Sequence, residues 1–593
     1  MASLSSSSLA SSRIRDLTSA ISDVSYTTHG GLFRPDYDYL MRELNTLRSG
    51  VLLSDNYKEG VLEPFIRFLE GLKEGNQFDR IFNEEGFRSK EKKVIEEVAE
   101  ALLQRNHQHR YYSSSFKDLQ AFQAVVTTVY ESSRRSSISK LAQTTLAPLA
   151  KWGESKGPVT FPITSTKVLP GINAGIVNLP PEYRTGGLLA WASLGHEVGG
   201  HNFLRSIPGT ESNHTPGIIK ELQEIIYASV KTHCTEGTEK LAEYWSVCAE
   251  EAASDVLGVM SIGPAFGIGL VGFFKGKRNG RLSVSGPLHS KNKSPKKLLK
   301  FSITSSNVFV EEISDDITFK REAGLFGYRQ TPREGPETKE PMNYEKVFFS
   351  TGKHPVDVLR LFVIIRVIRL FIERIGKHIT ELHEEHTEHR GHTEHSIKLL
   401  EIRTEDAEHT EYSIEVLKKH IEHIEHEYTE RRDFLEGIIR EWYEWIRIID
   451  SEVEKDLEGL KEISFEELHS ISPPTTQPFK IPIALARKTA QVTAEAIALK
   501  PLQNLDEKCL MDVISWKVED ERIVDEIRKA IKDEECTKLP RLSYKEKDYA
   551  RHIIAASILE SLETSSNPYK IEMIFNKMKV YLIDAYSKIS NRV

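Results

Sequence analysis

The sequence predicts a mainly α-helical (α+β) chain with a small β-sheet beside a buried helix that carries two histidines and a glutamate. Three observations predict it. Apolar residues recur at helical spacing through most of the 593 residues. Between Gly157 and Pro180 the pattern changes to short β-branched runs bounded by Pro and Gly. Just beyond them, an apolar stretch from Gly187 to Leu194 leads into Gly195-His196-Glu197-Val198-Gly199-Gly200-His201.

The elements follow in order. Residues 1–35 open serine-rich and without acids up to Asp16, and lack the apolar centre of a secretory signal. They are expected to be a weakly ordered tail, with an organelle transit peptide as the weaker alternative. Residues 36–155 form an N-terminal helical region, with runs such as Val94-Ile95-Glu96-Glu97-Val98. Residues 156–377 form the predicted catalytic core. Its first strands are Val159–Ile163 and Ile172–Asn178, followed by the His196 helix and a second helix containing Glu250, Glu251 and Asp255. The uncharged stretch 256–274 has nearly the length of a membrane span. Pro264 and five glycines break it, so it is expected to be the end of one buried helix and the start of another. A helix over 356–377, opened by Pro355, carries Arg360, Arg366, Arg369 and Arg374, which place it against protein rather than lipid.

Residues 378–430 are polar and hold ten of the 21 histidines, spaced largely by threes. Steps of three drift by about 60° round a helix, so they present no single ligand face. A solvated helical insertion is expected, with weak metal capture or a charge switch near neutral pH as the sharper alternatives. Helical periodicity continues through 431–471, Ser472–Pro478 is linker-like, and 479–593 form a C-terminal helical domain or the second wall of a cleft. The net charge of −8 leaves no nucleic-acid footprint, and four scattered cysteines suit a reducing, cytoplasmic setting.

The chemistry concentrates in two stretches. Histidines flanking a carboxylate are the inventory of a hydrolytic zinc site: neutral ring nitrogens ligate, and the acid takes a proton from a metal-activated water. The usual spacing is four, about 40° round a helix; here it is five, about 140° on a regular helix. A π-bulge would absorb the extra residue, and Gly199 and Gly200 would ease it. In Cys248-Ala249-Glu250-Glu251-Ala252-Ala253-Ser254-Asp255, Glu251 is the candidate third ligand. Asp255, one turn on, could accept the second ring N–H of a ligating histidine. A solvated acidic face is the bland alternative, and the surrounding Ala, Val, Leu and Gly argue against it.

His196-Glu197-x-x-Gly200-His201 resembles the His-Glu-x-x-Gly-His motif of the dipeptidyl-peptidase III family of zinc peptidases, and Glu250-Glu251 resembles that family's second motif. Glu251–Asp255 is also similar to the third-ligand helix of thermolysin-like peptidases, in the broader gluzincin group. The resemblance covers roughly residues 160–260. It implies a zincin-like core in which His196, His201 and Glu251 bind one Zn2+, Glu197 is the general base, and Asp255 and Glu250 lie behind the ligands. Asn173-Ala174 resembles the substrate-binding edge strand of the thermolysin-like enzymes. An oxyanion donor is needed outside the metal helices; His354 is the first candidate and His289 the second. The expected activity is zinc-dependent hydrolysis of a peptide substrate. The alternatives are a metal enzyme acting on a small molecule, with an iron facial triad as the main competitor, and a non-catalytic metal-binding scaffold.

Overall fold

The computed structural model describes residues 36–50, 52–75, 77–83, 90–106, 116–135, 145–153, 157–166, 169–207, 217–233, 239–284, 298–303, 308–313, 355–402, 407–465, 479–514, 516–540, 549–563 and 568–589. The protein is mainly helical with small sheets, as expected. The principal elements are α1 (Tyr37–Ser49), α2 (Glu63–Glu74), α3 (Lys90–Leu103), α4 (Phe116–Arg135), β1 (Leu149–Trp152), β2 (Val159–Phe161) and β3 (Ile176–Leu179). A π-helix (Gly195–Asn202) follows, then α5 (Gly217–His233), α6 (Glu239–Val247), α7 (Ala249–Ile262) and α8 (Ala265–Lys277). Beyond a two-stranded pair, β4 (Leu298–Ile303) and β5 (Val308–Ile313), come α9 (Asp357–Ile402) and α10 (Ala407–Leu457). A second pair, β6 (Glu462–Phe465) and β7 (Phe479–Pro482), precedes α11 (Ile483–Leu499), α12 (Val518–Lys532), α13 (Ala550–Glu563) and α14 (Pro568–Ile589).

Two apolar cores meet at a three-stranded sheet of order β1-β3-β2. Strand alternation divides its side chains. Leu149 and Ile176, register partners, face the N-terminal core built from α1, α2 and α3. Ala150, Trp152, Val177 and Leu179 face the larger core. On the N-terminal face, buried Lys151 pairs with Glu97 (2.6 Å) and Glu100 of α3, and Asn178 donates to Glu97. The division of the chain therefore differs from the expected break at 155. α4 belongs to the larger core, and so do α11, α12, α13 and α14. The described residues between 479 and 589 wrap back onto the body, with α14 packed along α4 and α11 against α5 and α9. They form one core with it, not a separate domain.

The uncharged stretch 256–274 resolves as foreseen. α7 ends at Gly263, whose φ of +77° turns the chain into buried α8. Among the described residues no helix is long and apolar enough to cross a membrane.

The His-rich stretch is the distal part of a long helical hairpin. α9 has 46 residues and α10 has 51, roughly 70–75 Å each. Contacts across the pair run antiparallel: His378 with Arg431 (3.1 Å), His383 with the Tyr428 hydroxyl (2.9 Å), and Arg390 with Glu425 (2.8 Å). Near the body the seam is apolar, with Phe371 edge-on to Trp442. Further out it becomes polar, and His386 stacks on Tyr428.

Candidate metal centre

The site is built where the π-helix lies against α7. A regular helix would turn His201 away from His196; i→i+5 bonding brings residues five apart onto one side. The two rings stand 4.7 Å apart, centroid to centroid, and nearly perpendicular at 87°. Glu251, in the first turn of α7, lies between them. Its Oε2 is 3.3 Å from His196 Nε2 and its Oε1 is 3.5 Å from His201 Nε2.

Small side chains permit this approach. A Cβ on Gly200 would lie 2.4 Å from the Ser254 Cβ and 2.5 Å from its Cα, and one on Gly199 would meet the Ser261 hydroxyl at 2.5 Å. Ser254 and Ser261 are fully buried, and among the described residues their hydroxyls meet no hydrogen-bond partner. Their smallness is what the contact uses. The glycines thus allow the close contact between the two helices.

Each histidine is held from behind. His196 Nδ1–H donates to Asp255 Oδ1 (2.8 Å), and Arg360 clamps that carboxylate with two bonds of 2.7 Å, from Nε to Oδ2 and from Nη2 to Oδ1. His201 Nδ1–H donates to Glu250 Oε1 (2.9 Å), and Arg205 clamps Glu250 with two bonds of 2.6 Å. The site is thus two parallel chains of histidine, carboxylate and arginine. With each Nδ1 committed, both Nε2 atoms are left to face Glu251.

The electrostatics follow from burial opposed by pairing. Burial pushes the His196 imidazolium toward neutrality, but the Asp255 charge outweighs it and the net direction is upward, with Arg360 opposing. His201 is raised well above its ordinary value: burial lowers it, and the Glu251 charge with bonds to Glu250 and Glu251 more than offsets that. Burial alone would raise Glu250; its bonds to His201 and the Arg205 charge instead hold it down at about 2. Asp255 is lowered too, Arg360 overcoming burial.

The donor set fits a metal ion. His196, His201 and Glu251 each offer a ligand atom, all within 4.8 Å of one another, and no other such group occurs among the described residues. Tetrahedral bonds of about 2.0–2.1 Å put ligand atoms roughly 3.3–3.4 Å apart, close to the two Nε2–Oε distances. Glu197 is buried beside His196 but lies outside this group.

Other residues named from the sequence fall elsewhere. Asn173 and Ala174 precede β3, the central strand. The Asn173 N–H donates to the Gly60 carbonyl (2.8 Å), its carbonyl accepts from Leu146 N (3.0 Å), and the Ala174 carbonyl accepts from Thr166 Oγ1 (2.8 Å). That backbone is engaged within the chain and is not an open edge. The edge beside the metal helix is β2, half-buried, where Asn202 of the π-helix donates to Thr160. His354 and His289 lie outside the described residues. Arg205, Arg360 and β2 were not foreseen as parts of the site. Arg205, four residues after His201, carried a usable signal, because it falls on the same helical run. Comparisons with protein-family models, with curated proteins and with solved structures return no match.

Proposed function

We propose that this chain is a zinc-dependent metallopeptidase of the gluzincin type, cleaving a peptide bond with Glu197 as general base. The observation that carries the reading is the convergence of two Nε2 atoms on Glu251 at 3.3 and 3.5 Å, with each Nδ1 bonded to its own carboxylate. Bound by His196, His201 and Glu251, zinc supplies a Lewis acid that polarises a carbonyl and acidifies a water. Two histidines and one glutamate are common to hydrolytic zinc sites and the iron facial triad; Glu197, buried next to His196 in the chain, supplies the base that hydrolysis needs and favours zinc.

The chain's own residues supply the rest. Glu197 takes the proton from the attacking water as oxygen joins the scissile carbon, and passes it to the amine nitrogen as the C–N bond breaks. Asp255 and Glu250 keep the histidine rings oriented. β2 offers an edge on which an extended peptide can pair and lie across the site. His354 is the proposed donor to the developing oxyanion; it stands six residues before Arg360 in the chain.

Metal analysis after mild chelation tests the reading. One zinc per chain is expected, lost in His201→Ala, and Glu197→Gln should keep the zinc while peptide cleavage falls about 10²–10⁴-fold. Equal metal in wild type and His201→Ala would overturn it.

A further inference from the structure

The carboxylates behind the histidines are anchored in different ways. Arg205 lies on the same helical run as His201, so its clamp on Glu250 travels with the ligand it supports. Arg360 reaches Asp255 from 105 residues further along, from the first turn of α9. Its guanidinium is buried, sits over the Phe274 ring at 4.8 Å, and brings Nη2 to 3.2 Å from His196 Nδ1. Two donors, His196 Nδ1–H and Arg360 Nη2–H, therefore converge on one oxygen, Asp255 Oδ1. Neighbouring contacts hold this turn of α9 in place. Tyr244 accepts the Val356 N–H (3.2 Å), Asp357 accepts from Ser283 N (2.9 Å), and Arg278 pairs with Asp357 (2.8 Å).

A carboxylate that accepts only from histidine can rotate about its own side chain. One gripped on both oxygens by a planar fork cannot turn without breaking two charge-assisted bonds. We propose that Arg360 is a positioning residue for the metal centre: it fixes the plane of Asp255 and thereby aims His196 Nε2 at the ion. The affinity of the site then depends on the seating of α9, the helix that runs on into the hairpin. This rests on the zinc reading above.

The test is zinc affinity, by chelator competition, of wild type, Arg360→Gln, Arg360→Lys, Asp255→Asn and the double variant Arg360→Gln/Asp255→Asn. Arg360→Gln should weaken zinc about 10–100-fold. Arg360→Lys, which keeps the charge but not the fork, should fall between. If Arg360 acts through Asp255, the double variant should bind no more weakly than Asp255→Asn alone. A ¹⁵N imidazole spectrum of the zinc-loaded protein should show His196 protonated at Nδ1 in wild type, with that signal shifted or exchange-broadened in Arg360→Gln. If Arg360→Gln does not fold, Arg360→Lys and its double with Asp255→Asn carry the same comparison. Wild-type zinc affinity retained in Arg360→Gln or Arg360→Lys, or losses that simply add in the cycle, would overturn the proposal while leaving the zinc reading intact. Wild type without zinc would overturn both.

Discussion

Replacing Gly200 by alanine tests how the centre is assembled. The added Cβ would stand 2.4 Å from the Ser254 Cβ and 2.5 Å from its Cα. Carbon atoms rest at about 3.5–4.0 Å, so the π-helix and α7 must separate by about 1 Å or more. The obstruction is backbone and Cβ, so no flexible side chain can swing away. Glu251 lies one turn before Ser254 on α7 and would be carried off with it. Ligand distances tolerate about ±0.2 Å, so a 1 Å displacement takes Glu251 out of bonding range. Overpacking of this kind costs about 1–3 kcal/mol of stability. Gly200→Ala should therefore lower Tm and weaken zinc at least about tenfold, measured by denaturation and chelator competition. Gly376, mid-helix in α9 with nothing near its added Cβ, is the control. There alanine should stabilise by about 0.5–1 kcal/mol, without effect on zinc. A Gly200→Ala protein with wild-type Tm and zinc affinity would refute the close-packing account.

Two further outcomes depend on pH. Burial first, with the nearby Glu441 and Asp520 charges, raises buried Glu521 of α12 to about 8, against the bond from Trp516. A raised carboxyl contributes stability that is full below about pH 4.5 and lost as pH climbs through about 8, at up to about 1.4 kcal/mol per unit. Glu521→Gln should therefore resemble wild type at pH 5 and exceed it in stability at pH 8; an equal difference at both pH values would sink the assignment. At the metal centre, the raised His196 and His201 stabilise the chelated protein below about pH 6.5, and this is lost as pH rises. Glu250 works in the other direction, losing its contribution as pH falls toward about 2. On the proposed reading zinc would compete with the histidine protons, so its increment in Tm should be larger at pH 8 than at pH 6; the reverse order would contradict the ligand assignment.

What the sequence made legible was local. A five-residue spacing excludes a regular helix for two ligands of one ion, and that geometric conflict announces the π-helix before any coordinates exist. Asp255 was visible because it lies one turn beyond Glu251 and needs no knowledge of the fold. Arg360 was visible only as a buried charge in an apolar helix, since its partner is 105 residues away and no periodicity encodes that pairing. The misplaced substrate edge has a similar cause. Alternation and turn residues mark where strands are, but the order β1-β3-β2 is a matter of which strands pair, parallel β1 and antiparallel β2 on either side of β3, and no local pattern encodes it. That order put the Asn173 segment at the centre and left β2 outside. The break expected at 155 went astray because α4 and α14, far apart in sequence, pack on each other. The histidines of 378–426 show the converse. Hairpin geometry engages only some of them, His386 stacking on Tyr428 and His383 bonding its hydroxyl, while His389, His392, His395, His420, His423 and His426 are exposed on the two helices. The described residues gather three ligands in one place only, where two of the residues that hold them are arginines with no motif of their own.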